Sequence, residues 1–372
     1  MMHKEINNKI FEELFVLELA NNHWGKVKRG LKIIDDFSEI VRSNKVKAAI
    51  KLQFRDVENF IHKEFAERED IRYIKKTKDT VLTEKEFEVL VKRIRDSGCI
   101  TMATPFDENS VEMCEKLDIE IIKIASSDIN DWILINKIAE TGKPVIASTG
   151  GANLEDIDNI VEFFNNKEIP FALNHCVSVY PSEDHELNLN EIDFLKARFP
   201  NLTIGFSTHE YRNWEWSLMI AYAKGARTFE RHIDINYEDV PVSPYCSLPE
   251  DIDIWFKAFK KAKEMCGNQE MKKRVPEKKE VNYLENLLRG VYARAELIPG
   301  TILTEENTYL AIPLQKGQLS SREFRYGEVL KEKVSKDQAI DIKKVETDYI
   351  KDKSLMESVN NRGLDSLSVK SK

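Results

Sequence analysis

Two histidines, His209 and His232, stand at the ends of consecutive apolar segments, LTIGFST and RTFERHI. If those segments are neighbouring parallel strands, their tips lie side by side and both imidazoles can reach one divalent ion. Imidazole suits manganese, iron, cobalt and zinc. Two protein ligands leave positions open for water and substrate, as Lewis-acid chemistry requires. His23 and His175 are further candidates. His175 lies in mid-strand between Asn174 and Cys176 and reads better as a hydrogen-bonded core histidine.

Two lysines sit inside otherwise apolar segments, Lys51 in AIKLQF and Lys123 in IIKIAS. Buried lysine is rare unless it is paired or functional. With Thr104, Ser126 and Ser207 nearby in the expected layout, the two would make a cradle for phosphate or carboxylate. The same lysines are also candidates for Schiff-base chemistry on a substrate carbonyl. Glu18, embedded in FVLELA, could have a raised pKa and act as acid or base, or could pair with Lys51 on the adjacent strand.

Eight short β-branched and apolar runs must position these groups: 15–20, 48–54, 100–106, 121–126, 144–149, 170–177, 202–208 and 227–233. They lack clean polar alternation, as parallel strands covered on both faces do. Between them, 28–43, 85–97, 108–117, 154–165, 188–198 and 212–224 carry a helical period. Eight strands alternating with helices in this length predict an α/β fold, a (β/α)8 TIM barrel. No GxGxxG follows the first strand, which weighs against a dinucleotide fold. Glu18, Lys51, Gln53, Thr104, Lys123, Ser126, Ser148, Thr149, Ser178, Ser207, His209 and His232 all fall in or just after the C-terminal halves of these strands. That is the end of a barrel where active sites lie.

The remainder reads as a second, smaller unit. A final amphipathic helix over 250–266 closes the first domain, 1–268. Residues 269–284 read as a polar linker, 285–346 as a small domain with short strands and a Pro-Gly turn, and 347–372 as a loosely ordered polar tail. Of the 372 residues, 42% are hydrophobic and 32% charged, enough for a sizeable core beneath a soluble surface. A net charge of −8 argues against nucleic acid as a partner. No run is long enough to span a membrane, and no signal peptide opens the chain. The five cysteines, widely spaced and without a CxxC pair, are expected to be reduced thiols in a cytoplasmic protein.

Taken in order, the segments VLELANNHWG, AIKLQF, ATPFD, KIASSD, PVIASTGG, HCVSVYPS, GFSTHE and FERHI resemble the strand-end motifs of the sialic acid synthase family. ARAELIPGTILTEEN resembles the antifreeze-protein-like (SAF) domain that closes those enzymes. The resemblance covers about residues 12–345. It implies a TIM barrel followed by a small β-rich SAF domain. It also implies condensation of phosphoenolpyruvate with an acylamino sugar aldehyde. His209 and His232 would bind a divalent metal, Mn2+ or Mg2+. Lys51, Thr104, Lys123, Ser126 and Ser207 would hold phosphoenolpyruvate, Gln53 would join the substrate site, Glu18 would assist proton transfer or orient water, and Tyr180 would face the sugar. The family's dimers have one subunit's small domain covering its partner's barrel mouth, so a domain-swapped homodimer is implied.

Departures from the family pattern cluster where the sugar binds. Asp128 stands where a Glu is usual, Ser178 where bacterial sialic acid synthases have Asn, and Ser243 near the position of a sugar-binding Asp. The Arg-Pro-Gly segment of the small domain is absent, leaving Arg322 as a substitute. The expected acceptor is therefore an acylamino sugar other than plain N-acetylmannosamine, such as a diacetamido-trideoxyhexose. Two rivals stay open: a lysine-dependent aldolase on the same barrel, and a non-catalytic sugar-binding homologue.

Overall fold

The computed structural model describes residues 8–267 and 272–365. The ends of the expected barrel domain, the start of the expected linker and the last seven residues of the expected tail lie outside the described residues. The chain divides into two compact units, Met1–Gln269 and Glu270–Lys372.

The first unit opens with β1 (Leu14–Ala20), α1 (Val27–Asn44) and β2 (Lys47–Phe54). Two short helices, α2 (Val57–Phe60) and α3 (Arg72–Asp79), lead into α4 (Glu84–Asp96) and β3 (Ile100–Pro105). The alternation continues through α5 (Glu108–Lys116), β4 (Ile121–Ile124), α6 (Trp132–Glu140) and β5 (Val145–Ser148). It is completed by α7 (Leu154–Asn166), β6 (Phe171–Cys176), α8 (Asn190–Arg198), β7 (Thr203–Thr208), α9 (Trp214–Lys224), β8 (Thr228–His232) and α10 (Pro249–Cys266). The eight strands pair in parallel in sequence order, and β8 closes on β1. All eight expected strands are present. Helices α2, α3 and α6 are additional to the expected ones.

Side chains alternate across each strand with period two, and the sequence uses that period twice over. Phe15, Leu17, Ile50, Leu52, Ile122, Leu173, Phe206 and Phe229 point outward and pack with α1, α4 and α10 residues such as Ile33, Leu90 and Phe256 in the main core. The intervening residues point into the barrel. At the N-terminal end these are apolar: Leu14, Val16, Ala49, Met102, Ile121, Ile146 and Ala172 form a separate buried cluster under Phe11. One or two steps further along, the inward residues of β1 to β5 become Glu18, Lys51, Thr104, Lys123 and Ser148, and β7 and β8 add Ser207 and Glu230. The apolar plug thus fixes the floor, and strand periodicity carries the polar groups to the C-terminal mouth.

Gly205 marks the tightest point of this interior. A Cβ there would lie 1.8 Å from Thr228 Oγ1 and 2.7 Å from the Thr228 carbonyl oxygen. The absent side chain lets Thr228 donate its hydroxyl to Asn174 Oδ1 between β6 and β8.

The second unit contains α11 (Lys278–Glu285), the antiparallel pair β9 (Gly290–Ala293) and β10 (Thr308–Ala311), the antiparallel pair β11 (Val329–Leu330) and β12 (Val345–Glu346), and α12 (Lys353–Asn361). Val291, Leu303, Leu319, Ile340, Ile342 and Val345 form its core. Two features differ from the sequence expectation. Helix α11 forms where only linker was expected, with Glu280 in its first turn paired to Arg274 at 2.7 Å. Helix α12 forms inside the expected loose tail, because Leu355, Met356 and Val359 share one face and pack onto the second core. Arg362, just beyond it, is buried and donates to Glu323 and Ser320.

Among the described residues no helix is long and apolar enough to cross a membrane. All five cysteines are free thiols.

Candidate active site

A cavity of about 390 Å3 opens at the C-terminal mouth of the barrel, within the range of small-molecule sites. Its lining includes Glu18, Lys51, Gln53, Thr104, Lys123, Ser126, Ser178, Tyr180, Ser207, His209 and His232. These are eleven of the thirteen residues expected to carry a catalytic, metal-binding or substrate-binding role. Asp128 and Arg322 are not in the lining. Asp128 ends the short turn after β4, with one carboxylate oxygen buried and unpartnered. Arg322 belongs to the second unit and is exposed there.

The centre of the cavity is ionic. Lys51 Nζ lies 2.7 Å from Glu230 Oε1 and 3.2 Å from Glu18 Oε2. It also donates to Thr104 Oγ1 at 3.3 Å. Lys123 Nζ donates to Ser148 Oγ at 2.6 Å and lies 3.6 Å from the second oxygen of Glu230. All four charged side chains are buried. Burial alone would neutralise them, so their charges depend on one another. Burial works to lower the Lys51 pKa, but the Glu18 and Glu230 carboxylates outweigh it and hold the amine above its ordinary value. Lys123 is pulled below the usual lysine range by burial, which Glu230 only partly offsets. Glu230 is drawn down to about 2: Lys123 and Lys51 overcome the upward push of burial. Glu18 is raised by burial, with Lys51 opposing and Glu230 reinforcing the shift. Burial thus favours the protonated form of Glu18, a property that suits a carboxyl group to acid–base work. These states also bear on Schiff-base chemistry, since a lysine held protonated, as Lys51 is, makes a poor nucleophile.

Gln53 and Arg55 extend the network outward. Gln53 Nε2 donates to Glu18 Oε1 at 2.7 Å, and Arg55 Nη1 donates to Gln53 Oε1 at 3.0 Å. On the opposite wall, Gly150 leaves room for hydroxyls, since a Cβ would meet Ser178 Oγ at 2.1 Å and Ser126 Oγ at 2.8 Å. The Gly150 amide donates to Ser126 Oγ at 3.1 Å.

His209 and His232 lie together as expected from adjacent strand tips, with ring centroids 5.3 Å apart. Burial lowers the His209 pKa to about 4 and that of His232 well below the usual histidine range. Both rings are therefore neutral at ordinary pH, the form a metal ligand needs. His209 Nδ1 is bonded to the Val177 carbonyl at 2.9 Å. That bond places the proton on Nδ1 and leaves Nε2 as the lone-pair nitrogen. Tyr180 packs on His209 at 4.0 Å between ring centroids, and Tyr245 on His232 at 5.1 Å. Among the described residues no group of three or more His, Cys, Asp and Glu side chains is placed to hold a metal. A cation on the histidine pair would complete its coordination with water and substrate.

His175 Nε2 donates to the Leu187 carbonyl at 2.7 Å, away from the mouth, as a core histidine does. His23 is fully buried with Nδ1 accepting from the Gly25 amide, and it does not line the cavity. Glu230 is the residue the sequence reading passed over. It carries the same signal as the two lysines, a charge on the inward face of an apolar strand, two positions before His232. Arg55 was also passed over, because it lies beyond the strand in a segment with no apolar period.

The NeuB family profile matches residues 42–271. A solved structure from Chromobacterium violaceum, assigned provisionally as spore coat polysaccharide biosynthesis protein E, is 35% identical, with a TM-score of 0.84 over 90% of this chain and 100% of that one. The N-acetylneuraminic acid (sialic acid) synthetase from Leptospira borgpetersenii is 28% identical, with a TM-score of 0.64 over 73% of this chain and 91% of its own. The pseudaminic acid synthase of Campylobacter jejuni is 27% identical over 349 residues, 88% of this chain and 96% of that protein.

Proposed function

The chain belongs to the NeuB family and is a sialic acid synthase-like enzyme; we propose that it condenses phosphoenolpyruvate with the open-chain aldehyde of an N-acylated amino sugar, giving a nonulosonic acid and inorganic phosphate. The observation that carries this reading is the buried Lys51–Glu230–Lys123 cluster beside two neutral histidines in one cavity. Plain sugar binding needs no such combination.

In this reading Lys51, Lys123, Thr104, Ser126 and Ser207 hold the phosphate and carboxylate of phosphoenolpyruvate. The trianion would displace part of the Lys51–Glu230 contact, exchanging one charged partner for another within a dry site. Its methylene carbon attacks the aldehyde, water adds to the resulting cationic carbon, and phosphate leaves by C–O cleavage. Glu18 moves a proton at the water or the new hydroxyl, held in place by Gln53. Fixing both reactants in a walled cavity supplies much of the acceleration. His209 and His232 would hold a divalent cation, Mn2+ or Mg2+, which when bound polarises the aldehyde oxygen; imidazole donors favour the manganese ion.

The acceptor in this reading is not plain N-acetylmannosamine. Ser178 lines the cavity where a longer amide would fill it, and Asp128, next to the lining residue Ser127 but outside the lining itself, is one methylene shorter than the Glu of the family pattern. The likeness to a pseudaminic acid synthase supports a modified amino sugar. A homodimer in which one subunit's SAF-like unit covers its partner's barrel mouth belongs to the same reading, and sedimentation at micromolar concentration tests it.

The experiment is incubation with phosphoenolpyruvate, Mn2+ and a panel of N-acylated mannose- and altrose-type sugars, reading phosphate release and product mass. Sugar-dependent phosphate with a condensed product supports the reading. Silence across the panel from folded, metal-loaded protein overturns it, and N-acetylmannosamine as clearly the best acceptor overturns the specificity.

A further inference from the structure

The strand that ends in His232 carries a charge that the reaction as described does not use. Along β8 and just past it, Glu230 and His232 line the cavity, while Phe229 and Ile233 belong to the main core outside the barrel. Strand alternation places Arg231 on that outer face, between two apolar residues. Its side chain is 1% exposed, and so is that of its ion-pair partner Glu210. A buried charge is costly unless it is paired and hydrogen-bonded. The bonds of Arg231 run to the chain around the two cavity histidines.

Glu210 directly follows His209, as Arg231 directly precedes His232. The last register pair between β7 and β8 is Thr208 with Arg231, so His209 lies just beyond the ladder that joins the two strands. Arg231 Nη2 spans that gap, donating to the Glu210 carbonyl at 2.8 Å. Nη1 faces the Glu210 carboxylate at 3.5 Å, and Ser217 donates its hydroxyl to the other oxygen of that carboxylate. On its other side, Arg231 Nε donates to Ser247 Oγ at 2.5 Å. The Ser247 amide in turn donates to the His232 carbonyl at 2.9 Å. The guanidinium lies 5.5 Å from the ring centre of Trp214, in the first turn of α9.

One planar cation thus ties the chain after His209 to the chain that bonds to His232, from behind the wall that carries both rings. A guanidinium holds several acceptors in fixed directions, which a point charge on a flexible stem does not. On the cavity side His209 has a tie of its own, the bond from Nδ1 to the Val177 carbonyl. That bond orients one ring. It does not set the distance to the other, which is 5.3 Å between centroids.

We propose that Arg231 is a positioning residue: from the outer face of the barrel it fixes the spacing of His209 and His232, and so shapes the divalent-cation site that the pair would form. Arg231 touches neither the cavity nor a reactant. It acts through the backbone on both sides of the pair, with Ser247 as its second arm. The cation site rests on the synthase reading; the spacing role does not, so the first measurement is made without metal.

The test is nuclear magnetic resonance of the histidine ring nitrogens in the metal-free full chain, assigned by substituting each histidine in turn, followed by Mn2+ titration read by electron paramagnetic resonance. Arg231→Lys keeps a cation opposite Glu210 and loses the fork. Its His209 and His232 ring signals should shift or broaden, while those of His23 and His175, buried elsewhere in the barrel, stay in place. Mn2+ should bind at least about tenfold more weakly, the loss typical when a group supporting metal ligands is removed. Ser247→Ala leaves the ion pair intact and should move the His232 signal more than that of His209. Should Arg231→Lys fail to fold, Ser247→Ala decides on the same signals. Unchanged His209 and His232 signals overturn the proposal, as does unaltered Mn2+ affinity in Arg231→Lys. So do equal shifts at all four histidines, which report a loss of stability alone. Shifts confined to the pair in a protein that binds no Mn2+ leave the spacing role standing and sink the cation site.

Discussion

Lys51 and Glu230 form the shortest ion pair in the barrel cavity, 2.7 Å between buried side chains, and the other Glu230 oxygen faces Lys123 at 3.6 Å. One carboxylate therefore offsets two ammonium groups, while Lys51 in turn offsets Glu18. Glu230→Gln keeps the shape and removes the charge. Breaking a buried pair in this way typically costs about 3–5 kcal/mol. The variant should show a markedly lower thermal midpoint, and phosphate release should fall by at least about a hundredfold because the lysines lose their fixed positions. An unchanged midpoint would mean that water or an ion already screens the lysines.

The two lysines should not respond alike. Lys51 contacts Glu18, Glu230 and Thr104, whereas Lys123 has Ser148 and one long contact to Glu230. Lys51→Met leaves two buried carboxylates facing each other, and Lys123→Met leaves Glu230 still paired with Lys51. Denaturant titration should find Lys51→Met the less stable by about 2 kcal/mol or more. Both should raise KM for phosphoenolpyruvate. Equal stability of the two variants would contradict the pairing described here.

Removal of divalent metal should silence the enzyme. Dialysis against EDTA should abolish phosphate release and Mn2+ should restore it. His209→Ala and His232→Ala should each lower bound Mn2+, read by electron paramagnetic resonance, and cut turnover by at least about a hundredfold. Retained Mn2+ binding in both variants would place the metal elsewhere.

Gly205→Ala tests the packing of the barrel interior. The added methyl would sit 2.7 Å from a backbone oxygen of Thr228, and a strand in mid-sheet has little freedom to retreat. Overpacking of this kind costs about 1–3 kcal/mol and sometimes more. A thermal melt should show the loss. Thr228→Val with Gly205→Ala should not recover it, since the backbone contact remains.

Most of the barrel is legible in the sequence because two periods coincide there. Strand alternation puts Leu17 and Leu19 outward and Glu18 inward, so a charge in an apolar run marks a mouth residue. That rule finds Glu18, Lys51 and Lys123, and applied evenly it finds Glu230. Residues placed by tertiary structure alone are harder to read. Arg55 follows the end of β2, and nothing local shows that it will stack on Phe106 fifty residues later. In the tail, charged and polar neighbours dilute the helical spacing of Leu355 and Val359, which gain their meaning only against the core formed by Val291 and Ile342.

The tail also supplies a pH-dependent prediction. Arg362 and Glu323 are buried together, 3% and 5% exposed, and Ser320 bonds to both. Burial pushes the Glu323 carboxyl up, but the bonds from Arg362 and Ser320 outweigh it and hold its pKa below the ordinary glutamate value of 4.5. A depressed pKa means that the folded form binds protons less readily than the unfolded chain. The stabilisation is therefore complete above the unfolded value and is lost as pH falls through the folded one. Hydrogen exchange of α12, corrected for intrinsic rates, should be flat from pH 7 to about pH 5 and lose protection below about pH 4.5. Arg362→Gln should remove much of that pH dependence and lower protection already at pH 7, because it leaves the Glu323 charge buried without its partner. Protection of α12 that is unaltered in Arg362→Gln would show that Leu355, Met356 and Val359 hold the tail without the ion pair.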